Sequence, residues 1–179
     1  MTKITGKASP IKDPLIAPFS KRKCVFYRIK IEERKKRGET NRWVTIINDE
    51  KIQPFYLVKN GEQVIIEPSQ ELKNYKAHLV IDERTSSGTF NDASPEFESL
   101  LNRYNIKSTG FFGFNKSLRY SEAIVTVGEE ITIAGIGKWK DMQEPIEGYA
   151  YSKIAALESA EKQKLLITDL PKEKLNTRR

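Results

Sequence analysis

Apolar and polar residues alternate over most of the chain, which is the pattern of half-buried β-strands. The strongest such run, 24–32, places four side chains on one face of a strand: Val25, Tyr27, Ile29 and Ile31. A charged turn and a second run at 43–48 follow it and predict a hairpin. Another hairpin is predicted at Asn60-Gly61, because both residues tolerate the positive φ of a tight turn.

One segment changes to the helical period. Ser94 suits an N-cap and Pro95 suits the first helical position. The apolar positions that follow have the spacing i, i+3, i+4 and i+7: Phe97, Leu100, Leu101 and Tyr104. We therefore predict a helix over about 94–105 that lies across a sheet or plugs the end of a barrel.

The β pattern returns in the second half of the chain, at 118–125 and 131–137. Gly135 and Gly137 predict a bulge or a close approach of backbones. The stretches 153–157 and 164–168 predict a last hairpin.

At the C-terminus, Asp169 followed by Pro171 predicts the start of a short helix. A helix that starts so near the last residue suggests that the chain is part of a longer protein.

These elements together predict an α+β fold that is predominantly β, with antiparallel strands in a barrel- or sandwich-like arrangement. We expect one domain over 1–179. Within it, two β lobes, 1–84 and 106–170, would be bridged by the 94–105 helix.

Composition restricts the function classes. The 179 residues include one cysteine, Cys24, and one histidine, His78. A structural zinc site made of cysteines and histidines needs more ligands than that, and Ser–His or Cys–His catalysis would depend on His78 alone. We expect no catalytic set, no metal and no cofactor. The chain has no window of the roughly 20 apolar residues that a transmembrane helix needs.

The net charge of +7 raises the question of an anionic partner. The excess is concentrated at 21–23, at 34–37 and in the last eight residues. No stretch interleaves basic residues with aromatic ones as an RNA-binding strand does. A solvated surface is therefore favoured, and nucleic acid is not the expected partner.

Nucleotide-binding motifs are absent from the sequence. Gly135-Ile136-Gly137 lacks the third glycine and the following helix of a dinucleotide fingerprint, and the chain contains no P-loop.

Two features remain as candidate contact sites. The first is Gly110-Phe111-Phe112-Gly113-Phe114, an apolar loop. Its phenylalanines either fold into the core or form an exposed tip that meets a membrane or a partner protein.

The second feature is Arg119 with Glu122, three positions apart in a strand. A regular strand would direct them to opposite faces, whereas a bulge would let them pair. Structural pairing is favoured over contact with a ligand.

Several segments, read in order, resemble the GIDE domain, also called the BAM (beside-a-membrane) domain. This domain occurs in a mitochondrial membrane-anchored ubiquitin ligase and in many bacterial and archaeal membrane proteins. The similar segments are KCVFYR at 23–28, PFYLV at 54–58, RYSE at 119–122, VGEEITIAG at 127–135 and KLLITD at 164–169.

The resemblance implies a domain beside or between transmembrane helices that recognises partners, while ubiquitin transfer belongs to a separate RING. A RING needs several cysteine and histidine ligands, and this chain has only Cys24 and His78. We therefore expect a non-catalytic binding or sensor module, a membrane-associated part of a membrane-anchored prokaryotic protein. Its partner would be a protein or a membrane surface, and a ubiquitin ligase-like label would apply only to the family.

Two alternatives stay open. One is a basic, OB-like β domain that binds nucleic acid. The other is an enzyme of unrecognised type that uses Arg119 and Glu122.

Overall fold

The computed structural model describes residues 1–88, 91–110, 113–141 and 153–170. Within them lie twelve strands and one helix. These are β1 (Thr2–Pro10), β2 (Leu15–Ile16), β3 (Lys23–Arg37), β4 (Thr40–Ile52), β5 (Phe55–Lys59), β6 (Glu62–Ile66), β7 (Tyr75–His78), β8 (Glu83–Ser87), α1 (Pro95–Arg103), β9 (Leu118–Thr126), β10 (Glu130–Asp141), β11 (Lys153–Glu158) and β12 (Leu165–Thr168).

Five strands close into a barrel. β1 pairs with β5 on one side and with β10 on the other, and β6 pairs in parallel with β11, which pairs with β10. Numbered along the barrel alone, the order is 1-2-3-5-4-1, which is the connectivity of the OB fold, a five-stranded Greek-key barrel. The prediction of a barrel-like, predominantly β fold with one clear helix is confirmed. Two strand pairs, β6–β11 and β7–β12, are parallel.

The turn between β5 and β6 has the backbone conformation that Asn60-Gly61 predicts. Asn60 has φ 51° and Gly61 has φ 84°, the positive values that a tight hairpin turn needs. The predicted hairpin is confirmed.

The predicted hairpin of 153–157 with 164–168 is wrong. β11 and β12 both pair with β10, one after the other, and residues 159–164 loop out between them. Gly135 lies on β10 between the segment that pairs with β11 and the segment that pairs with β12, and a Cβ there would stand 2.9 Å from the Glu158 carbonyl oxygen. The predicted close approach is therefore confirmed at Gly135, whereas a Cβ at Gly137 would meet its nearest atom at an ordinary 3.5 Å.

A second, antiparallel sheet is formed by β8, β9 and β3, with β2 and β4 along the far side of β3. β9 pairs with β3 only as far as Glu33, while the β3–β4 hairpin continues. Residues 34–43 therefore extend as a two-stranded, exposed ribbon. We call this ribbon the hairpin arm.

A register shift near the start of β3 joins the sheet to the barrel. The shift lies between Cys24 and Phe26. Val25 and Phe26, neighbours in sequence, consequently both pack into the barrel core, although strict alternation predicted opposite faces. Val125 of β9 joins them there.

The predicted helix is confirmed as α1. The Ser94 hydroxyl accepts a hydrogen bond from the Phe97 N–H at 3.2 Å, and Pro95 occupies the first turn. The buried side of α1 packs on one face of the second sheet, against side chains that include Ile29, Ile31 and Leu118.

The helix lies across the sheet, as one of the two predicted placements had it. Both sheets mix strands from 1–84 and 106–170, because β1 pairs with β10 and β3 pairs with β9. These two stretches interleave in each sheet.

No helix among the described residues is long and apolar enough to cross a membrane. The predicted C-terminal helix start falls mostly outside the described residues, since Pro171 is not among them. The Asp169 carboxylate itself accepts a hydrogen bond from the Val80 N–H at 2.9 Å.

Candidate binding surface

The face of the second sheet that points away from α1 carries charged side chains. Ile29 and Ile31 of β3 point toward α1. Because side chains alternate along a strand, Arg28, Lys30 and Glu32 point away from it. The strand register then aligns Glu32 with Arg119, and Arg119 with Ser86. The next row aligns Lys30, Ser121 and Arg84. We call this surface the cationic face, made of Arg28, Lys30, Glu32, Arg34, Trp43, Arg84, Ser86, Arg119 and Ser121.

Glu32 orders the centre of the cationic face. Its carboxylate accepts from Arg119 Nε at 2.5 Å and from Lys30 Nζ at 2.7 Å. The hydrogen bonds from Arg119 and Lys30 lower the pKa of Glu32 to about 2, against the opposing effect of burial. Glu32 is therefore ionised at neutral pH and holds two cations in fixed positions.

An aromatic ring supports Arg119 from the neighbouring hairpin. The guanidinium carbon of Arg119 lies 4.4 Å from the centroid of the Trp43 ring, within the range of a cation–π contact. Trp43 remains 38% exposed. The cationic face thus combines basic groups with an aromatic surface, contributed by strands that are far apart in sequence.

Arg84 differs from the other cations of this face. Its side chain is exposed and has no hydrogen-bond or ion-pair partner among the described residues. The hydroxyls of Ser86 and Ser121 likewise have no partner within the described part of the chain. Together with Lys30 and Arg119, these groups line a concavity of about 540 Å³.

Arg28, at the barrel end of the same face, already has partners. Its Nε donates to Glu50 at 2.7 Å, and Glu50 also accepts from the Tyr75 hydroxyl at 2.6 Å and from Lys73. Burial opposes ionisation of Glu50, but these hydrogen bonds keep its pKa below the ordinary value. The Arg28 guanidinium also donates to the Ala77 carbonyl at 3.3 Å. Arg28 therefore connects the second sheet to β7 of the other sheet, and its guanidinium is already engaged.

Arg119 and Glu122 do not form the pair considered from the sequence. Glu122 is fully buried and lies on the opposite side of β9 from Arg119. Its carboxylate accepts from the N–H groups of Phe19 and Ser20, at 3.0 and 3.1 Å, and from the Tyr120 hydroxyl at 2.7 Å. β9 has no register shift between these residues that would turn them to one face, and Arg119 pairs with Glu32 instead.

The phenylalanine loop is only partly described. Phe111 and Phe112 lie outside the described residues. Phe114 is 71% exposed, in a turn closed by a hydrogen bond from the Gly110 N–H to the Phe114 carbonyl at 2.8 Å. For Phe114, the alternative in which the ring folds into the core is wrong. The loop leads into β9 at the end of the sheet where the hairpin arm begins, since the Arg34 N–H donates to the Ser117 carbonyl.

Cys24 and His78, the residues that a nucleophilic mechanism would need, lie in different surroundings. Burial raises the pKa of the Cys24 thiol to about 12, so that thiol is protonated at neutral pH. His78 lies exposed in β7. Among the described residues, no group of histidine, cysteine and carboxylate side chains is arranged to hold a metal ion.

Sequence reasoning missed Lys30, Glu32, Trp43 and Arg84 as parts of one surface. The alternation along β3 does place Lys30 and Glu32 on one face. Their alignment with Arg84 and Trp43 depends on strand register, which no local pattern encodes.

No family model, no curated protein and no solved structure matches the chain. The resemblance to the GIDE domain therefore stays a prediction.

Proposed function

We propose that this protein is a non-catalytic binding module that acts beside a membrane, and that the cationic face and the hairpin arm contact an anionic surface. The observation that carries the proposal is the continuity of the two surfaces along β3. Basic side chains follow one another from the centre of the sheet to the tip of the exposed arm.

Charge supports this proposal. The hairpin arm carries five basic residues and one acidic residue: Arg34, Lys35, Lys36, Arg37 and Arg42 against Glu39. A basic residue close to an anionic membrane contributes about 1 kcal/mol to binding. The arm alone therefore has enough charge for a reversible, salt-sensitive attachment.

Exposed aromatic rings support the membrane as the anionic surface. Trp43 lies at the base of the arm, and Phe114 lies in the loop at the same end of the sheet. Aromatic side chains are favoured at the level of lipid headgroups. The resemblance to a domain that lies beside membranes points the same way.

Vesicle sedimentation tests the proposal. We expect the protein to sediment with vesicles that contain phosphatidylglycerol and not with pure phosphatidylcholine vesicles. Binding should weaken strongly between about 0.05 M and about 0.5 M salt, as screening shortens the range of the charges.

Charge reversal on the arm locates the contact. The variant Lys35→Glu/Lys36→Glu/Arg37→Glu should bind about 100-fold more weakly or worse, since each lost charge is worth about 1 kcal/mol. Lys3→Glu/Lys7→Glu/Lys59→Glu is the matched control, because it changes the net charge equally at exposed positions of the barrel. Equal weakening in both variants would show that only overall charge matters.

Nucleic acid is the second candidate, because the barrel has OB connectivity. In OB folds the usual oligonucleotide surface is the outer face of the second and third strands, here β5 and β6. On that face Tyr56 and Ile65 pack with Ile11 and Ile154 into an apolar cluster. The outward positions of β5 and β6 among the described residues, Tyr56, Val58, Gln63 and Ile65, include no basic side chain, whereas the second sheet carries the ordered cations that phosphates require.

A competition experiment separates the two candidates. If single-stranded DNA binds the protein and displaces it from anionic vesicles at equal phosphate concentration, nucleic acid becomes the better-supported ligand.

The third hypothesis, an enzyme that uses Arg119 with Glu122, has lost its basis because the two side chains lie on opposite faces of β9.

A further inference from the structure

Three cations from three neighbouring strands converge on the concavity of the cationic face. Lys30 comes from β3, Arg119 from β9 and Arg84 from β8. The only carboxylate among the lining residues is Glu32. Three positive charges and one negative charge leave this part of the described surface with a net charge of +2.

The cations are held in place before any ligand arrives. Glu32 fixes Lys30 and Arg119 at 2.7 and 2.5 Å, and Trp43 supports the guanidinium plane of Arg119. Arg119 meets Glu32 through Nε, and its terminal nitrogens have no hydrogen-bond partner among the described residues. Ordering the donors in advance lowers the entropic cost of binding an anion.

No contact within the described residues explains the position of the Arg84 side chain. Its side chain makes no hydrogen bond or ion pair within the described residues, yet it lines the same concavity as two other cations that repel it. The Ser86 and Ser121 hydroxyls add donors in the same rows of the sheet. A ligand with two negative charges and several acceptor oxygens would neutralise the concavity and satisfy these donors.

We infer that this concavity is a phosphate-binding site, in which Arg84 and Arg119 bind the phosphate oxygens, Lys30 neutralises charge and the two serine hydroxyls donate. A net charge of +2 matches a phosphomonoester better than a phosphodiester. The phosphate can belong to a lipid headgroup or to a soluble phosphate ester. The inference rests on the proposed function only for the first of these sources.

The test uses the full chain and two forms of one phosphate. Calorimetric titration with glycerol 3-phosphate measures the soluble ester. Vesicle sedimentation compares phosphatidic acid with phosphatidylglycerol at equal surface charge and so measures the lipid forms.

Arg84→Gln is the decisive variant, because the lost guanidinium has no partner in the described structure and we expect its removal to leave the fold intact. We expect it to weaken glycerol 3-phosphate binding about tenfold or more, as for the loss of a charged hydrogen bond. Lys59→Gln, which removes an exposed charge from the barrel, should leave that affinity unchanged. Arg119→Lys, which keeps the charge but loses the planar fork, should also weaken binding.

The outcomes separate the inference from the proposed function. Loss of glycerol 3-phosphate binding and of the preference for phosphatidic acid in Arg84→Gln supports a lipid source. Loss of glycerol 3-phosphate binding with unchanged vesicle binding supports a soluble ester. If the wild-type protein binds no glycerol 3-phosphate and Arg84→Gln binds both vesicles like wild type, the inference is overturned while the proposed function stands. If the wild-type protein binds neither the ester nor any anionic vesicle, both fail.

Discussion

At the scale of single residues, two buried carboxylates on opposite faces of the second sheet have different roles. Glu122 joins β9 to the loop that contains Phe19 and Ser20, through two backbone N–H groups that would otherwise lack a partner. Glu32 instead orders the cations Lys30 and Arg119 on the outer face. Glu122 thus contributes to stability, whereas Glu32 orders the cations of the proposed binding surface.

Replacing Glu122 with alanine should destabilise the fold. The substitution leaves two backbone N–H groups and the Tyr120 hydroxyl without their acceptor in the core, and each such loss costs about 1–3 kcal/mol. We expect the free energy of unfolding in urea to fall by about 3 kcal/mol or more. Glu130→Ala, at an exposed position of β10, is the control and should change it little. A Glu122→Ala protein as stable as this control would contradict the assigned role.

Glu32 should make stability depend on pH in acid solution. Its pKa is about 2 in the folded protein and 4.5 ordinarily, so below pH 4.5 the unfolded chain binds more protons than the folded one. The contribution of Glu32 is therefore complete above pH 4.5 and is lost as the pH falls toward 2. Urea unfolding at several pH values should show this loss in the wild-type protein and a shallower one in Glu32→Gln. Identical slopes in the two proteins would show that Glu32 is not held as described.

The residue scale also shows what sequence could reveal about the site. Alternation along a regular strand places Arg119 and Glu122 on opposite faces, as observed, and the pairing of the two that was favoured from the sequence is wrong. The actual partner of Arg119, Glu32, lies 87 positions away and is set by the pairing of β3 with β9. Long-range register of this kind is decided by the packing of whole strands and leaves no local signal.

At the scale of elements, the predictions that depend on a few neighbouring residues were confirmed. Ser94 and Pro95 begin α1, and Asn60-Gly61 turns β5 into β6, because each depends on a few neighbouring residues. The pairing of β11 and β12 failed as a prediction, because the long β10 offers both strands an edge. The parallel pairing of β11 with β6 closes the barrel, and that of β12 with β7 extends the sheet beyond it, so neither pairing is set by a turn.

Barrel closure should be sensitive to a methyl group at Gly6 in β1. A Cβ there would lie 2.7 Å from the Val58 carbonyl oxygen of β5, a backbone atom that cannot move aside independently. We expect Gly6→Ala to lower the free energy of unfolding by about 2–3 kcal/mol, as for an overpacked core. Gly137→Ala is the matched control, with its nearest contact at 3.5 Å, and should cost less than about 1 kcal/mol. Equal effects would show that β1 and β5 are not packed this closely.

At the scale of the whole molecule, the barrel and the second sheet have different surfaces. The barrel buries the larger core, and its outer β5–β6 face is apolar around Tyr56 and Ile65. The second sheet carries the ordered cations and the hairpin arm. The net charge of +7 alone could not distinguish a solvated surface from a binding surface. The proposal of a binding surface rests on Arg84, whose side chain has no partner in the described residues, and on the cations that line the same concavity.

The two tryptophans allow the contact surface to be located directly. Trp43 lies on the cationic face, and Trp139, which is 75% exposed, lies on β10 at a rim of the barrel. The variants Trp139→Phe and Trp43→Phe each leave one reporter. Each variant is mixed with anionic vesicles whose lipids carry bromine atoms that quench tryptophan fluorescence.

The central claim is that the second sheet, and not the barrel, meets an anionic surface. We expect quenching of Trp43 in Trp139→Phe, and fluorescence of Trp139 that stays unchanged in Trp43→Phe. Quenching of Trp139 with Trp43 unaffected, or vesicle binding without quenching of Trp43, would contradict it.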